Sequence, residues 1–367
     1  MADLFIDEEV VKLSGVDLSQ RAAVKVKSKA VTEGHSSQVV IKWEFEQSKK
    51  VIKTLFEKRW LDSTGEVPWE AYITKQLSKK KIAESFRVPM VYGEIFGEGC
   101  YSLVMEDVGE ETGSSGSYFH GQHGGVSYEM STLIKGLASL NSTRVHVTRS
   151  SLKWNTPYFA DFNRTRMAKI RKRVRESFSC SEVSRKYVVS LSLLVKSFKS
   201  LTPDPKQCFL NHCDIHPGNI RGGERGEVVI FDFGNSVMFP PVIDISQYAS
   251  CSLAEMARHG VQASSLMVVF NQILEVYLNE LKVLGGEYKK EKMYPLFYQV
   301  TMICIANKIK RGPWGMEGIK SMVEFHFLCE SYLKENLGSQ YFHCVSLDGI
   351  SSKKSFFKNF LKRVMGL

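Results

Sequence analysis

Apolar and polar side chains alternate in the first part of the chain, and this alternation predicts strands. Residues 22–31 alternate apolar with basic residues, as the half-buried strand of a sheet does. A turn over residues 32–37 follows, and apolar-rich segments at 38–45 and 50–55 come after it. The pattern therefore predicts a small antiparallel sheet at the start of the chain.

The period changes to that of helices further along. A helix is expected from Pro68, a residue suited to a first helical turn, through Leu77. Residues 130–140 carry the helical period, and several more helices are expected within 160–200 and 252–338. We therefore expect an α+β protein in which a small β region with one helix precedes a large, mainly helical region.

Three oxygen-bearing side chains follow one another in a pattern that suits phosphoryl transfer. The segment Asn-His-Cys-Asp-Ile-His-Pro-Gly-Asn places Asn219 five positions after Asp214, and Asp232 follows an apolar run. One carboxylate is needed to orient an attacking hydroxyl, and two oxygen ligands are needed for the Mg²⁺ that neutralises the phosphates. Short strands predicted at 208–210 and 228–231 flank the loop. We interpret Asp214 as the residue that orients the acceptor and Asn219 and Asp232 as metal ligands.

The motif His212-Cys-Asp-Ile-His-Pro-Gly-Asn-Ile220 resembles the signature of the aminoglycoside phosphotransferase and choline kinase-like family. Those enzymes are kinases with a bilobal, protein-kinase-like fold that act mostly on small molecules. The resemblance implies that Asp214 is the catalytic base, that Mg²⁺ is required and that ATP is the donor, with GTP as an open alternative. The family usually has Gly where Cys213 stands, a change expected to have little effect.

The resemblance also makes demands on the predicted sheet. Gly34 and Ser36, in the turn after the first strand, would lie over the phosphates. A strand lysine would contact the phosphates, and strand order favours Lys53, with Lys42 of Val-Val-Ile-Lys as the alternative. Glu70, on the first predicted helix, would hold that lysine.

The last strand of the sheet would lead into a hinge. There the backbone around Glu106 and Val108 would bind the adenine edge, as the resemblance implies. We place a nucleotide-binding lobe at residues 1–107 and a catalytic and acceptor-binding helical lobe at 108–367.

The stretch after Asp232 bears on the acceptor. Pro240 to Ile245 follow within about a dozen residues, and Asp244 resembles a structural aspartate of the family. A protein kinase needs a long activation segment ending near Ala-Pro-Glu, which this chain lacks. A small hydroxylated acceptor is therefore favoured, and a protein Ser/Thr kinase is the alternative.

The formal charge of +10 is concentrated in two places. A basic helical insertion at about 160–200 favours an anionic acceptor over a polycationic one, although a solvated helix face is the favoured explanation of these charges. The tail at 353–367 reads as a basic amphipathic helix. It could lie on an anionic membrane, as in a kinase of a lipid-linked or lipopolysaccharide sugar, or pack on the helical lobe.

Composition excludes several other classes of protein. The eight cysteines include no Cys-x-x-Cys and no zinc spacing, and the acidic start of the chain is unlike a signal peptide. We expect a cytoplasmic enzyme with no nucleic-acid partner. A catalytically silent binding module is disfavoured, because every base and metal position carries a suitable residue.

Overall fold

The computed structural model describes residues 9–16, 24–33, 38–61, 67–97, 99–109, 115–120, 125–146, 162–201, 207–223, 227–286, 288, 290–312 and 314–337. The chain divides into two compact units, Met1–Thr112 with Gly218–Gly234, and Gly113–Pro217 with Asn235–Leu367. Residues 218–234, assigned from the sequence to the second lobe, thus group with the first unit.

The elements are as follows in chain order. The strands are β1 (Val24–Glu33), β2 (Gln38–Gln47), β3 (Lys50–Leu61), β4 (Phe86–Arg87), β5 (Val91–Gly97), β6 (Cys100–Glu106), β7 (Phe209–Asn211), β8 (Ile220–Gly222), β9 (Val228–Ile230) and β10 (Val237–Phe239). The helices are α1 (Trp69–Ser78), α2 (Tyr128–Ser142), α3 (Arg164–Phe178), α4 (Ser181–Lys199), α5 (Ile243–Arg258), α6 (Ala263–Val283), α7 (Lys290–Arg311) and α8 (Met316–Leu337). Among the described residues, three 3-10 turns span Ser115–Phe119, Pro217–Asn219 and Phe233–Asn235. The predicted α+β composition, with a small antiparallel sheet and a mostly helical remainder, is confirmed.

The first unit is built on a five-stranded antiparallel sheet in the order β1-β2-β3-β6-β5. Successive residues of a strand point to opposite faces. On one face, Leu55 of β3 packs with Trp43 and with Val10 of a short helical segment at residues 9–13. On the other face, Trp60 packs with Ala71 of α1. β3 therefore presents one row of side chains to α1 and the other row to the N-terminal segment.

A second, three-stranded sheet in the first unit has the order β4-β9-β8. β8 and β9 form an antiparallel hairpin, and β4 pairs in parallel with β9, with Phe86 opposite Val228. Arg87 adds an ion pair to Glu227 at 3.0 Å. Residues 218–234 are therefore joined to the first unit by both backbone pairing and charge.

The second unit is mainly helical around one aromatic core. Phe270 of α6 stacks on Phe297 of α7 at 4.4 Å between ring centroids and meets Phe325 of α8 edge-on at 5.4 Å. α5 is buried along most of its length, and β7 pairs with β10 beside it. Because α5 is buried, it can hold the loop that follows β7 in a fixed position. Among the described helices, none is long and apolar enough for a membrane crossing.

Candidate active site

A lysine on β3 lies between two carboxylates in the first unit. The Nζ atom of Lys58 is 2.6 Å from Oε1 of Glu70 and 3.2 Å from Oδ1 of Asp232. Only 13% of the Lys58 side chain and 8% of the Glu70 side chain are exposed. A buried ammonium held in this way is a preorganised positive charge, which is what a polyphosphate requires.

This arrangement shows that the predicted pairing of Lys53 with Glu70 is wrong. Lys53 shares a face of β3 with Leu55, away from α1, and its ammonium donates to the backbone carbonyl of Ser14. It also lies 4.4 Å from the ring centroid of Tyr92. The face of the strand, which alternates along β3, excludes Lys53 from contact with Glu70.

The alternative lysine, Lys42, forms its ion pair with a different carboxylate, and Lys58 is the lysine that contacts Glu70. Lys42 lies opposite Phe56 on the neighbouring strand and forms an ion pair with Glu44 at 3.3 Å. Lys42 lies on the face of the sheet that α1 covers, but it is one strand further from α1 than Lys58. Its charge is paired with that of Glu44.

Burial and charge set the protonation of this cluster. Burial raises the pKa of Glu70 to about 7; Lys58 counters the shift and Asp232 adds to it. Burial lowers the pKa of Lys58, but the two carboxylates outweigh it and raise this pKa overall. Lys58 therefore stays protonated, and its ammonium lies beside the carboxylate oxygens of Glu70 and Asp232.

The β8–β9 hairpin positions Asn219 and Asp232 at one of its ends. Ile220 pairs with Ile230, and the Phe231 amide donates to the Asn219 carbonyl at 3.2 Å, so the chain enters and leaves the hairpin at the same point. Asp232 has φ 70°, a left-handed conformation that aspartate tolerates better than most residues. An amide oxygen and a carboxylate are the hard ligands that Mg²⁺ prefers, so this pair of residues fits the metal.

The second unit contains Asp214, in the loop after β7. The Oδ2 atom of Asp214 accepts from the Asn235 amide at 3.1 Å, and the Asp214 backbone N–H donates to Nδ1 of the buried His212 at 3.2 Å. Nε2 of His216 is 3.7 Å from Oδ1. His212 therefore supports the loop from beneath, and Asn235 orients the carboxylate, a contact that the sequence did not reveal.

Asp244, at the start of α5, holds the same loop by its backbone. Its carboxylate accepts from the amides of His212 and Cys213, each at 2.8 Å, and from Nδ2 of Asn141, also at 2.8 Å. Burial raises the pKa of Asp244, and these hydrogen bonds counter the shift. A fully buried acceptor with three donors keeps the loop in one conformation.

Gln247, one turn further along α5, completes the support. Its amide oxygen accepts from the Ile215 N–H at 2.9 Å, and its amide nitrogen donates to the Cys213 carbonyl at 2.6 Å. The backbone on both sides of Asp214 is thus fixed to α5 by Asp244 and Gln247.

Cys213 itself has φ 65°. This left-handed conformation favours glycine, and it costs another residue about 1–2 kcal/mol. The residue is therefore more than the neutral replacement that the sequence predicted: it imposes strain directly before Asp214.

The segment expected to bind adenine follows β6. Glu106 uses its carboxylate for a bidentate ion pair with Arg87, at 2.6 and 2.8 Å, and its backbone N–H donates to the Met90 carbonyl at 2.9 Å. With that amide engaged, the donor to a base would come from Val108. Gly34 and Ser36, predicted to lie over the phosphates, and the tail at 353–367 fall outside the described residues.

A family model described as the phosphotransferase enzyme family matches residues 28–265, well over half of the chain. The matched region includes β3, α1, the Asp214 loop and the β8–β9 hairpin. No curated protein matches the chain.

Several solved structures are similar to the chain at low identity. A spectinomycin phosphotransferase in complex with ADP and spectinomycin is 13% identical, with 83% of this chain and 93% of that chain covered and a TM-score of 0.43. An aminoglycoside phosphotransferase from Alicyclobacillus acidocaldarius is 12% identical, with coverages of 88% and 93% and a TM-score of 0.47. An ethanolamine kinase from Plasmodium vivax is 13% identical, with coverages of 87% and 83% and a TM-score of 0.41.

Proposed function

Because the chain belongs to the phosphotransferase enzyme family, we propose that it transfers the γ-phosphoryl group of ATP to a hydroxyl group of a small molecule. The membership confirms the resemblance predicted from the motif around Asp214. Donor, acceptor class and residue roles are proposed from the geometry within each unit.

The observation that carries the proposal is the Lys58–Glu70–Asp232 cluster. Phosphoryl transfer depends on positioning and on neutralising charge that is spread over the phosphate oxygens. Lys58 is held by a helix carboxylate on one side and reaches a proposed metal ligand on the other. It would therefore present its ammonium to the phosphates beside the metal.

Asn219 and Asp232 would hold the Mg²⁺. When bound, the ion neutralises the triphosphate and supports departure of the leaving oxygen. The two residues lie at one end of the β8–β9 hairpin, and β4 and the Arg87–Glu227 ion pair hold the hairpin in place. This support would keep the ligands aligned during turnover.

Asp214 would orient the acceptor hydroxyl and receive its proton. Its carboxylate oxygen Oδ2 accepts from Asn235, and this hydrogen bond restricts rotation of the carboxylate. Asp244 and Gln247 hold the backbone on both sides, so the carboxylate is positioned by a buried network.

A small acceptor suits the stretch between Asp232 and α5. In this described stretch only a 3-10 turn and the three-residue strand β10 precede the first residue of α5, Ile243. That length leaves little room for the peptide platform of a protein kinase. The exposed bases of α3, among them Lys169, Arg171 and Arg175, favour an anionic acceptor.

The test compares two lysines on one strand. Lys58→Met should lower kcat/KM for ATP by about 10²–10³-fold, the usual effect of removing one preorganised charge at a reacting phosphate or oxyanion. The matched variant Lys53→Met should stay within about threefold of the wild type, since Lys53 faces away from Glu70. Activity would be followed as ADP release over a panel of anionic, neutral and cationic hydroxyl compounds.

Asp214→Asn completes the experiment. It should abolish turnover while ATP binding, followed by calorimetry, stays near the wild-type affinity. Equal effects of the two lysine variants would contradict the proposed contact of Lys58 with the phosphates. An active Asp214→Asn enzyme would contradict the proposed role of Asp214 as the base.

A further inference from the structure

A group of metal-ligating side chains lies in the second unit, apart from every residue given a catalytic role above. Nitrogen or oxygen atoms of His120, Glu255 and His259 all lie within 4.8 Å of one another. The Nε2 atom of His259 is 3.2 Å from Oε1 of Glu255, and the rings of His120 and His259 are 5.7 Å apart. We propose that these three residues form a binding site for a transition-metal ion of the zinc type.

The chemistry of the donors selects the class of ion. Two imidazoles and one carboxylate are the ligand set of zinc sites that have three protein ligands and water as the fourth ligand. Nitrogen-rich sites prefer Zn²⁺, Ni²⁺ or Cu²⁺, whereas Mg²⁺ prefers oxygen ligands alone. This site therefore differs in its preference from the magnesium ligands Asn219 and Asp232.

The distances suit a small ion. Ligand atoms about 2.1 Å from a tetrahedral ion lie roughly 3.4 Å from one another. The His259–Glu255 separation of 3.2 Å is close to this value, and rotation of the exposed His120 ring would bring the third ligand in. Arg258 also contacts Oε1 of Glu255 at 3.4 Å, but this exposed ion pair contributes little and would yield to a metal.

The backbone holds the ligands near one another in advance. Glu255 lies in the last turn of α5, and His259, four positions further on, is the C-cap residue of this helix. Tyr248 lies two turns before Glu255 on the same side of the helix. The Tyr248 hydroxyl donates to the Tyr118 carbonyl at 2.7 Å, and its ring packs against Phe119 at 5.3 Å. The 3-10 turn Ser115–Phe119 is therefore fixed to α5, and this contact places His120 beside His259.

Binding would join His120, directly after the 3-10 turn Ser115–Phe119, to the C-terminal end of α5. The same helix supports the Asp214 loop through Asp244 and Gln247, near its other end. A bound ion would stabilise this end of the helix without touching the residues that bind the loop.

The experiment uses the full-length protein. Calorimetric titration with Zn²⁺ in the presence of excess Mg²⁺ should give one site per chain. His120→Ala and His259→Ala should each weaken binding by at least about tenfold, since each removes one of three protein ligands. The matched control His146→Ala replaces another exposed histidine and should leave the affinity unchanged.

Cobalt absorption separates this site from the cysteines of the chain. Co²⁺ bound by imidazole and carboxylate lacks the strong near-ultraviolet band of a thiolate complex, and the His259→Ala protein should lose the visible band. Zn²⁺ should also raise the Tm of the wild type by more than that of either histidine variant. The proposal would be overturned if the Zn²⁺ affinity of both variants equalled that of the wild type. A thiolate band in the Co²⁺ spectrum, or the absence of saturable metal binding, would also overturn it.

Because both histidines are exposed, their replacement should not unfold the protein, and circular dichroism would verify this. Kinase activity in Mg²⁺ should remain at the wild-type level in both variants. The proposal therefore stands or fails independently of the proposed function.

Discussion

At the scale of single residues, Cys213 combines a strained backbone with complete burial. Its left-handed φ of 65° precedes Asp214, its N–H is bound by Asp244, and its carbonyl by Gln247. The surrounding hydrogen bonds determine this conformation, so the side chain must adapt to it.

Substitutions at Cys213 should therefore rank by backbone tolerance. Cys213→Gly removes the strain and should keep kcat within a few-fold of the wild type. Cys213→Val, which is β-branched and adds one heavy atom at a fully buried position, should lower stability by at least about 2 kcal/mol, because such residues rarely adopt positive φ. Urea unfolding and steady-state kinetics would measure both, and equal behaviour of the two variants would contradict the strain argument.

How far the sequence could predict the site depends on how local each signal is. Asp214, Asn219 and Asp232 lie within one stretch whose spacing reflects their chemistry. The sequence pattern does not indicate Lys58, because the apolar-rich segment ends at Leu55 whereas β3 continues to Leu61.

A second reason lies in the buried carboxylate next to Lys58. Glu57 occupies a core position, where it accepts from Trp43, Arg59 and Ser102, and it interrupts the apolar alternation that would have marked the rest of β3. Partners far apart in the chain, such as Arg87 and Glu227, leave no local pattern at all.

At the scale of elements, the arginines of the basic helix α3 differ in what they contact. Arg173 donates to the carbonyls of Ile309, Gly312 and Trp314, at the C-terminal end of α7. There the guanidinium satisfies carbonyls that the helix leaves unpaired and opposes the negative end of its dipole. Its neighbour Arg171 is exposed.

We expect Arg173→Ala to destabilise the protein by about 2 kcal/mol, the range of charge-assisted hydrogen bonds to backbone carbonyls. Arg171→Ala, on the same helix, should change the free energy of unfolding by less than about 0.5 kcal/mol. Urea denaturation of the two variants gives the comparison. If both proved neutral, the contacts of Arg173 would have no energetic weight.

The packing of α8 introduces a buried histidine. The Nε2 atom of His326 is 2.9 Å from the hydroxyl of Ser190 on α4, and Tyr187 packs against its ring at 4.9 Å. Burial lowers the pKa of His326 to about 4 from an ordinary value of 6.5.

Stability should consequently fall with acid. The unfolded chain takes up this proton as the pH drops below about 6.5, whereas the folded protein does so only near pH 4, so the loss occurs between those values. Its full size is about 3 kcal/mol. Tm measured from pH 7.5 to 4 should decline less steeply for His326→Gln than for the wild type or for His146→Gln. Parallel curves for all three would contradict the assignment.

At the scale of the whole molecule, the first unit is assembled from two separate parts of the chain. Residues 1–112 provide the large sheet and α1, and residues 218–234 provide β8, β9 and Asp232. Without the second part, β4 has no partner strand, and the buried Glu70 and Lys58 lose Asp232.

Residues 1–112 expressed alone should therefore fail to form a stable unit. The exposed edge of β4 and the loss of Glu227 as a second partner of Arg87 should favour aggregation. Near-ultraviolet circular dichroism and size-exclusion chromatography would show this, with the full-length protein as the reference. A cooperative, monomeric unfolding transition of this fragment would contradict the expectation.

The two-part origin of the first unit also governs how chimeric enzymes of this family should be made. A recombinant that took only the first 112 residues from a relative would combine one parent's Lys58, Glu70 and Arg87 with the other parent's Asp232 and Glu227. Crossover points before residue 113 and on either side of residues 218–234 would instead transfer each charge pair intact. A functional hybrid therefore needs residues 1–112 and 218–234 from the same parent.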